Sequence, residues 1–144
     1  MHHVLATLMV AGAIGYATSA AGRELDADYS NRAYEVVAQL DVLSFRSSIR
    51  PRALAGQHTL DHYGFIDFVK TADGKGLEAM RSDAGWYWAL KVLSETDGQL
   101  LLCIRDEARN GGTYHSEFQV AVRPREDGLF HAEGEQVSGR CWSS

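Results

Sequence analysis

Four Asx–Gly dipeptides, Asp73–Gly74, Asp97–Gly98, Asn110–Gly111 and Asp127–Gly128, punctuate the second half of the chain, each between apolar runs. Such pairs accept the positive φ angles that tight hairpins require. From Phe65 onward the residues between them alternate with a period of two. Trp86, Trp88, Leu90 and Val92 share one parity and are all large and apolar; Leu100, Leu102 and Ile104 repeat the pattern, as do Tyr114, Phe118, Val120 and Val122. The opposite parity carries Lys91 in one run and Gln119 and Arg123 in another, and is expected to meet solvent. Strands are predicted at 65–71, 77–82, 86–95, 99–106, 113–123 and 129–135. They form a sheet of five or six antiparallel strands in meander order, because sequential hairpins need no long crossovers.

Upstream the period changes. Between Asp28 and Arg46, the residues Ala33, Val36, Val37, Leu40 and Leu43 fall on one helical face, with Arg32, Glu35, Gln39 and Arg46 on the other. Asp28 or Ser30 is placed to cap such a helix. Val36, Ala38, Leu40 and Val42 also alternate, so residues 32–46 are open between helix and strand. A helix laid on one face of the sheet makes an α+β fold; the alternative is a small closed β barrel. Residues 47–64, with Pro51, Gly56 and Gly64, read as a loop.

The first charged side chain other than histidine is Arg23, and Val4 to Tyr16 forms a short apolar run ahead of the small residues Ala17 to Ala21. That order is the pattern of a secretory signal peptide, expected at 1–20 with cleavage after Ala20, although His2 and His3 stand where Lys or Arg is usual. The run is too rich in Ala and Gly, and too poor in flanking cations, to favour a retained anchor. Residues 21–144 then form a single globular domain, periplasmic or secreted, without a stable membrane anchor. All 14 basic and 19 acidic side chains lie in that part, so the net charge of −5 belongs to it. A mildly acidic domain without a basic stripe is a poor ligand for nucleic acid. Arg46, Arg50 and Arg52 form the one basic cluster, read as a solvated loop. An even count of cysteines in an exported chain favours a bridge between Cys103 and Cys141. It closes a loop worth on the order of 3–4 kcal/mol in the chain-entropy account and pins the C-terminal tail to a central strand.

No catalytic signature stands out. His58 and His62 have the spacing of two zinc ligands on a helix, but the glutamate of a protease motif and a third ligand are missing, so no metal and no cofactor are expected. Asp106, His115 and Ser116 can be drawn as a triad only because such residues occur in most domains. Asp106, Glu107, Glu133 and Glu135 supply carboxylates with nothing in their spacing to make them converge. Trp86 and Trp88 are read as core rather than as a carbohydrate platform, since their shared face is apolar.

The segment from Arg105 to Glu117 is different. It is a hairpin connection carrying both charge signs, an aromatic residue and a histidine near its tip, and rigid sheets present recognition residues on such loops. Arg109, Asn110, Tyr114 and His115 are the binding residues it suggests, Arg and Tyr being enriched at interaction hot spots. The expected function is a small exported binding protein acting on another protein, of the inhibitor or immunity type, against an envelope-directed toxin or hydrolase. The alternatives are a small hydrolase or metal-dependent enzyme using His58 and His62 or His115, and a carrier of a small apolar ligand.

Overall fold

The computed structural model describes residues 29–142; the expected signal peptide and the Asp28 cap lie outside them. Among the described residues one α-helix, α1 (Ser30–Gln39), precedes six strands: β1 (Val69–Lys70), β2 (Leu77–Met80), β3 (Trp86–Thr96), β4 (Gln99–Ala108), β5 (His115–Pro124) and β6 (Phe130–Ser138). They form one antiparallel sheet in the order β1-β2-β3-β4-β5-β6. The sheet is an open meander, so the barrel alternative is set aside.

All four Asx–Gly pairs stand at strand connections. The tightest is Asp97–Gly98, where both residues have positive φ, 51° and 79°. Two consecutive left-handed residues match the twist of the strands they join. β3 and β4 run in register from Trp86↔Ala108 to Val92↔Leu102, and a bulge between Val92 and Ser94 then shifts the phase. The shift turns Glu95 toward the helix, where Arg32 reaches it at 3.1 Å.

α1 settles the ambiguity of residues 32–46. Ala33, Val36 and Val37 are buried on one side of the helix, which packs on β2 and β3. Tyr29, not Ser30, occupies the N-cap position. The helix stops at Gln39; Leu40 turns to an extended conformation and bridges Phe130 of β6. Beyond it Asp41 builds a turn, its carboxylate accepting from the Leu43 N–H at 3.0 Å while its carbonyl accepts from Ser44 Oγ at 2.7 Å. A continued helix would have carried Val42 and Phe45 away from the sheet, and both are buried in the core.

The core lies between the inner face of the sheet and a cover made of α1 and residues 40–68. Trp86, Trp88, Leu90, Val92, Leu100, Leu102, Ile104, Phe118, Val120 and Val122 are buried on the inner face, as their parity predicts. Each fully buried side chain of this size is worth roughly 1.5–3 kcal/mol of transfer free energy. The stretch read as a loop, 47–64, is more ordered than expected. It makes two 3₁₀ turns, Arg50–Arg52 and Leu60–Tyr63, and contributes Ile49 and Leu60 to the core. Phe45 and Phe65 flank it and sit 6.4 and 6.5 Å from the Trp88 ring. Phe65 is thus a core residue of the cover; the strand expected at 65–71 shrinks to Val69–Lys70, and the one expected at 129–135 extends to Ser138.

Lys91 departs from expectation. Its parity places it on the outer face, yet it is buried. The C-terminal tail explains this. Cys141 is disulfide-bonded to Cys103 in the middle of β4, and Trp142 lies over the outer face with its ring centroid 4.9 Å from Lys91 Nζ and 5.2 Å from the Arg105 guanidinium. Burial pushes the Lys91 ammonium below the ordinary lysine value.

Candidate functional site

Cross-strand pairing sets the chemistry of the outer face. The register aligns Met80, Tyr87, Glu107 and His115 in one row across β2 to β5, and Val69, Glu78, Ala89, Arg105 and Glu117 in the next. Residues opposite one another in neighbouring strands point to the same side, so two adjacent rows, each apolar at the β1–β2 edge and largely polar toward β5, lie side by side on the outer face. Glu107 is the hub of the first row. Arg109 Nη2 approaches one carboxylate oxygen at 2.8 Å and His115 Nδ1 the other at 2.9 Å. The Arg109 guanidinium also stacks over the Tyr87 ring, 4.6 Å from its centroid. Tyr87 donates its hydroxyl to Glu78 at 2.8 Å; burial, then this bond to a carboxylate, push its phenol up.

Arg109 and His115, both singled out from the sequence, therefore meet on a common carboxylate. Asn110 and Tyr114 go elsewhere. The Asn110 side chain accepts from the Gly112 N–H at 3.1 Å and shapes the hairpin turn. Tyr114 turns to the opposite side, its ring 5.5 Å from that of Trp86. The side chains that the sequence reading missed are Glu78 and Tyr87; Glu107 was named there only as one of four carboxylates with nothing to make them converge. Their signal lies in the alternation of β2 and β3; the sequence assigns the outward parity to solvent through Lys91 in β3 and Gln119 and Arg123 in β5, without pairing it across strands.

Beside the row, at the β1–β2 edge, an open cleft of about 660 Å³ is lined by Val69, Glu78, Met80, Tyr87 and Arg109 among others. Val69 and Met80 expose 57% and 43% of their surface there. The cleft thus sets the apolar Val69 and Met80 beside a phenol, the two guanidinium groups of Arg81 and Arg109 and the two carboxylates of Asp67 and Glu78.

The other residues with chemical potential are occupied separately. His58 Nδ1 and His131 Nδ1 each lie 3.1 Å from the buried carboxylate of Asp41, on different oxygens, and His131 Nε2 meets Asp127 at 2.6 Å. His62 Nδ1 faces the Thr59 hydroxyl at 3.2 Å. His58 and His62 therefore do not share a ligand position. Among the described residues the single cluster with metal-ligand proximity is Cys103, Glu117 and Cys141, whose sulfurs are joined in the disulfide. Nor do Asp106, His115 and Ser116 form a triad. Asp106 is buried on the inner face opposite Ser116, whereas His115 pairs with Glu107 on the outer face. Glu133 binds Gln99 and Arg123 at the far end of the sheet.

No family model, curated protein or solved structure matches this chain. Its outer face is read from its own chemistry.

Glu117 ties that face to the tail. Its Oε1 accepts from the backbone N–H groups of Cys141 at 2.8 Å and Trp142 at 2.5 Å, and Arg105 lies 3.4 Å from Oε2. Burial pushes this carboxyl up, but the Trp142 and Cys141 N–H groups and Arg105 outweigh it and hold the group below the ordinary glutamate value. A carboxyl depressed on folding stabilises the native state above its unfolded value, and that contribution fades as pH falls through the lower folded value. Glu117→Gln is therefore expected to cost roughly 1–3 kcal/mol at neutral pH. The gap to the parent should close as the solution is acidified below the ordinary carboxylate range. Urea midpoints measured from neutral to acid pH check this; a gap of constant size would show that ionisation has no part in it.

Proposed function

We propose that the protein is a small exported binding protein whose outer face docks another protein, as an inhibitor or immunity-type factor does to an envelope-directed toxin or hydrolase. The observation that carries this reading is the Arg109–Glu107–His115 group standing beside the open cleft with the exposed Val69 and Met80. Exposed apolar side chains framed by an arginine, a tyrosine and acidic groups have the composition of an interface centre with its polar rim. Arg109 and His115 are held by Glu107 and Tyr87 on a six-stranded sheet, so little side-chain freedom remains to be lost on docking. The Cys103–Cys141 disulfide suggests a location outside the reducing cytoplasm, and none of the described helices is long and apolar enough to cross a membrane. Periplasmic or secreted placement fits both the disulfide and the N-terminal pattern.

The charge arrangement argues for a mixed-charge partner surface, since Arg81 and Arg109 stand among the carboxylates of Asp67, Glu78 and Glu107. Affinity capture with the tagged protein, repeated with Arg109→Ala/His115→Ala and with Met80→Asp, tests the reading. A partner captured by the parent should bind the double variant at least ~10-fold more weakly, the effect of losing about 1.4 kcal/mol at a hot spot. The isolated protein should inhibit the partner's activity in a purified assay, or protect cells against it. Equal capture by all three proteins would remove the outer face from the account.

A further inference from the structure

Trp142 occupies a shaped socket on the outer face, beside the row that holds Glu107. Its floor is Gly76, where a Cβ would lie 2.7 Å from the Leu90 carbonyl oxygen and 2.8 Å from the Trp142 ring, so a side chain there and the indole cannot coexist. Lys91 Nζ and the Arg105 guanidinium lie 4.9 and 5.2 Å from the centroid, a double cation–π arrangement. The backbone N–H groups of residues 141 and 142 both end on one carboxylate oxygen of Glu117, and the Gly139 N–H donates to the Glu117 carbonyl at 3.0 Å. Indole, main chain and sulfur are thus each matched by a separate group of the sheet.

We propose that this socket is a recognition site for an indole-bearing segment, occupied by the chain's own tail, and that the Cys103–Cys141 disulfide is the latch that keeps it filled. Cys103 is fully buried, whereas Cys141 is only partly so, which makes Cys141 the more accessible half of the bridge. An external dithiol attacks the Cys141 sulfur, forming a mixed disulfide and releasing Cys103 as a thiolate. The second thiol of the reagent then displaces Cys141, leaving a cyclic disulfide in the reagent and, after protonation, two protein thiols. With the covalent link gone, residues 139–142 are held by the Glu117 hydrogen bonds and the ring contacts alone, and the tail exchanges between docked and free. The free state uncovers Lys91, Arg105 and Glu117, adding two cations and a carboxylate to the exposed outer face. In an oxidising compartment the socket is shut; in a reducing one it opens.

The chain has three lysines, Lys70, Lys75 and Lys91, and the first two are exposed. They serve as internal references for an amine-acylating reagent read by peptide mass spectrometry. In the oxidised full-length protein Lys91 should acylate far more slowly than Lys70 and Lys75. Reduction with a dithiol should raise its rate relative to theirs by ~10-fold or more. Trp142→Ala with the disulfide intact should give part of that rise without reductant, because the ring is the cover. A peptide of the tail sequence with serine in place of cysteine, added to the reduced protein, should restore protection of Lys91. Amide exchange in β3–β5 is followed in the same samples. Three outcomes overturn the proposal: Lys91 that stays protected when alkylation shows both thiols free, acylation that rises only together with loss of β3–β5 amide protection, or a tail peptide without effect.

Discussion

Replacing Asp106 with alanine is expected to remove roughly 3–5 kcal/mol of stability, the sum of orphaning several buried donors, which is a large share of what a domain of this size holds. Asp106 is fully buried on the inner face, where its carboxylate accepts from the Ser48 N–H at 2.7 Å, the Ser48 hydroxyl at 2.6 Å and the Trp86 indole N–H at 2.5 Å. These donors come from the cover and from β3, so one side chain fastens the irregular segment to two strands. Alanine leaves all three without their acceptor in a dry site. Asp106→Asn keeps one acceptor oxygen but turns an amide N–H₂ toward donors, and should fall between parent and alanine. Urea unfolding measures both: the midpoint should drop while the slope stays unchanged, since the surface exposed on unfolding is the same. A loss below about 1 kcal/mol would mean that the donors find other acceptors.

Asp106 also explains why adjacent residues in β4 do such different work. Successive side chains of a strand point to opposite faces, so Asp106 anchors the cover while Glu107 gathers Arg109 and His115 outside. If the outer row is a docking surface, Asp106→Ala should weaken binding only through the fraction unfolded. Glu107→Ala should leave the core intact and release Arg109 and His115 from their fixed positions.

The sheet was legible because its signals are local. A two-residue turn and the alternation beside it are written within about ten residues, and the four Asx–Gly pairs place five of the six strands close to where they lie. Cys103 and Cys141 were paired by count alone, and the disulfide is there. The cover was harder to read. Val42, Phe45, Ile49, Leu60 and Phe65 are all buried, yet they follow neither a helical nor a strand period, because turns and 3₁₀ segments have no fixed repeat. Lys91 illustrates a second limit: its burial depends on Trp142, which returns to the sheet by way of a disulfide rather than a local contact. In the candidate site, Arg109 and His115 were marked by residue type on a hairpin loop. Their meeting on Glu107 depends on register, and register follows from the turn only once its geometry is known. The Asp41 knot joins residues 41, 58, 127 and 131 across three segments, and no spacing in the sequence announces it.

Trp88→Ala is the second substitution with a large expected effect, roughly 3–5 kcal/mol for a fully buried tryptophan cut back to a methyl group. Trp88 has no exposed surface; its ring meets Phe45 at 6.4 Å and Phe65 at 6.5 Å, and Phe45 in turn meets Phe118 at 5.8 Å. Both phenylalanines belong to the irregular cover, which this aromatic contact joins to the sheet alongside the Ser48–Asp106 bonds and the Asp41 N–H to Phe130 carbonyl bond. The cavity should therefore loosen residues 41–68 before it disrupts the strands, whose ladders do not pass through Trp88 alone. Limited proteolysis should cut the variant inside 41–68 under conditions that leave the parent whole, and amide protection should fall there more than in β4 and β5. Trp88→Phe retains an aromatic ring against both partners and should keep most of the lost stability. A variant in which the strands and the cover lose protection equally would show that the cover has no separate stability, and that helix, irregular segment and sheet unfold as one unit.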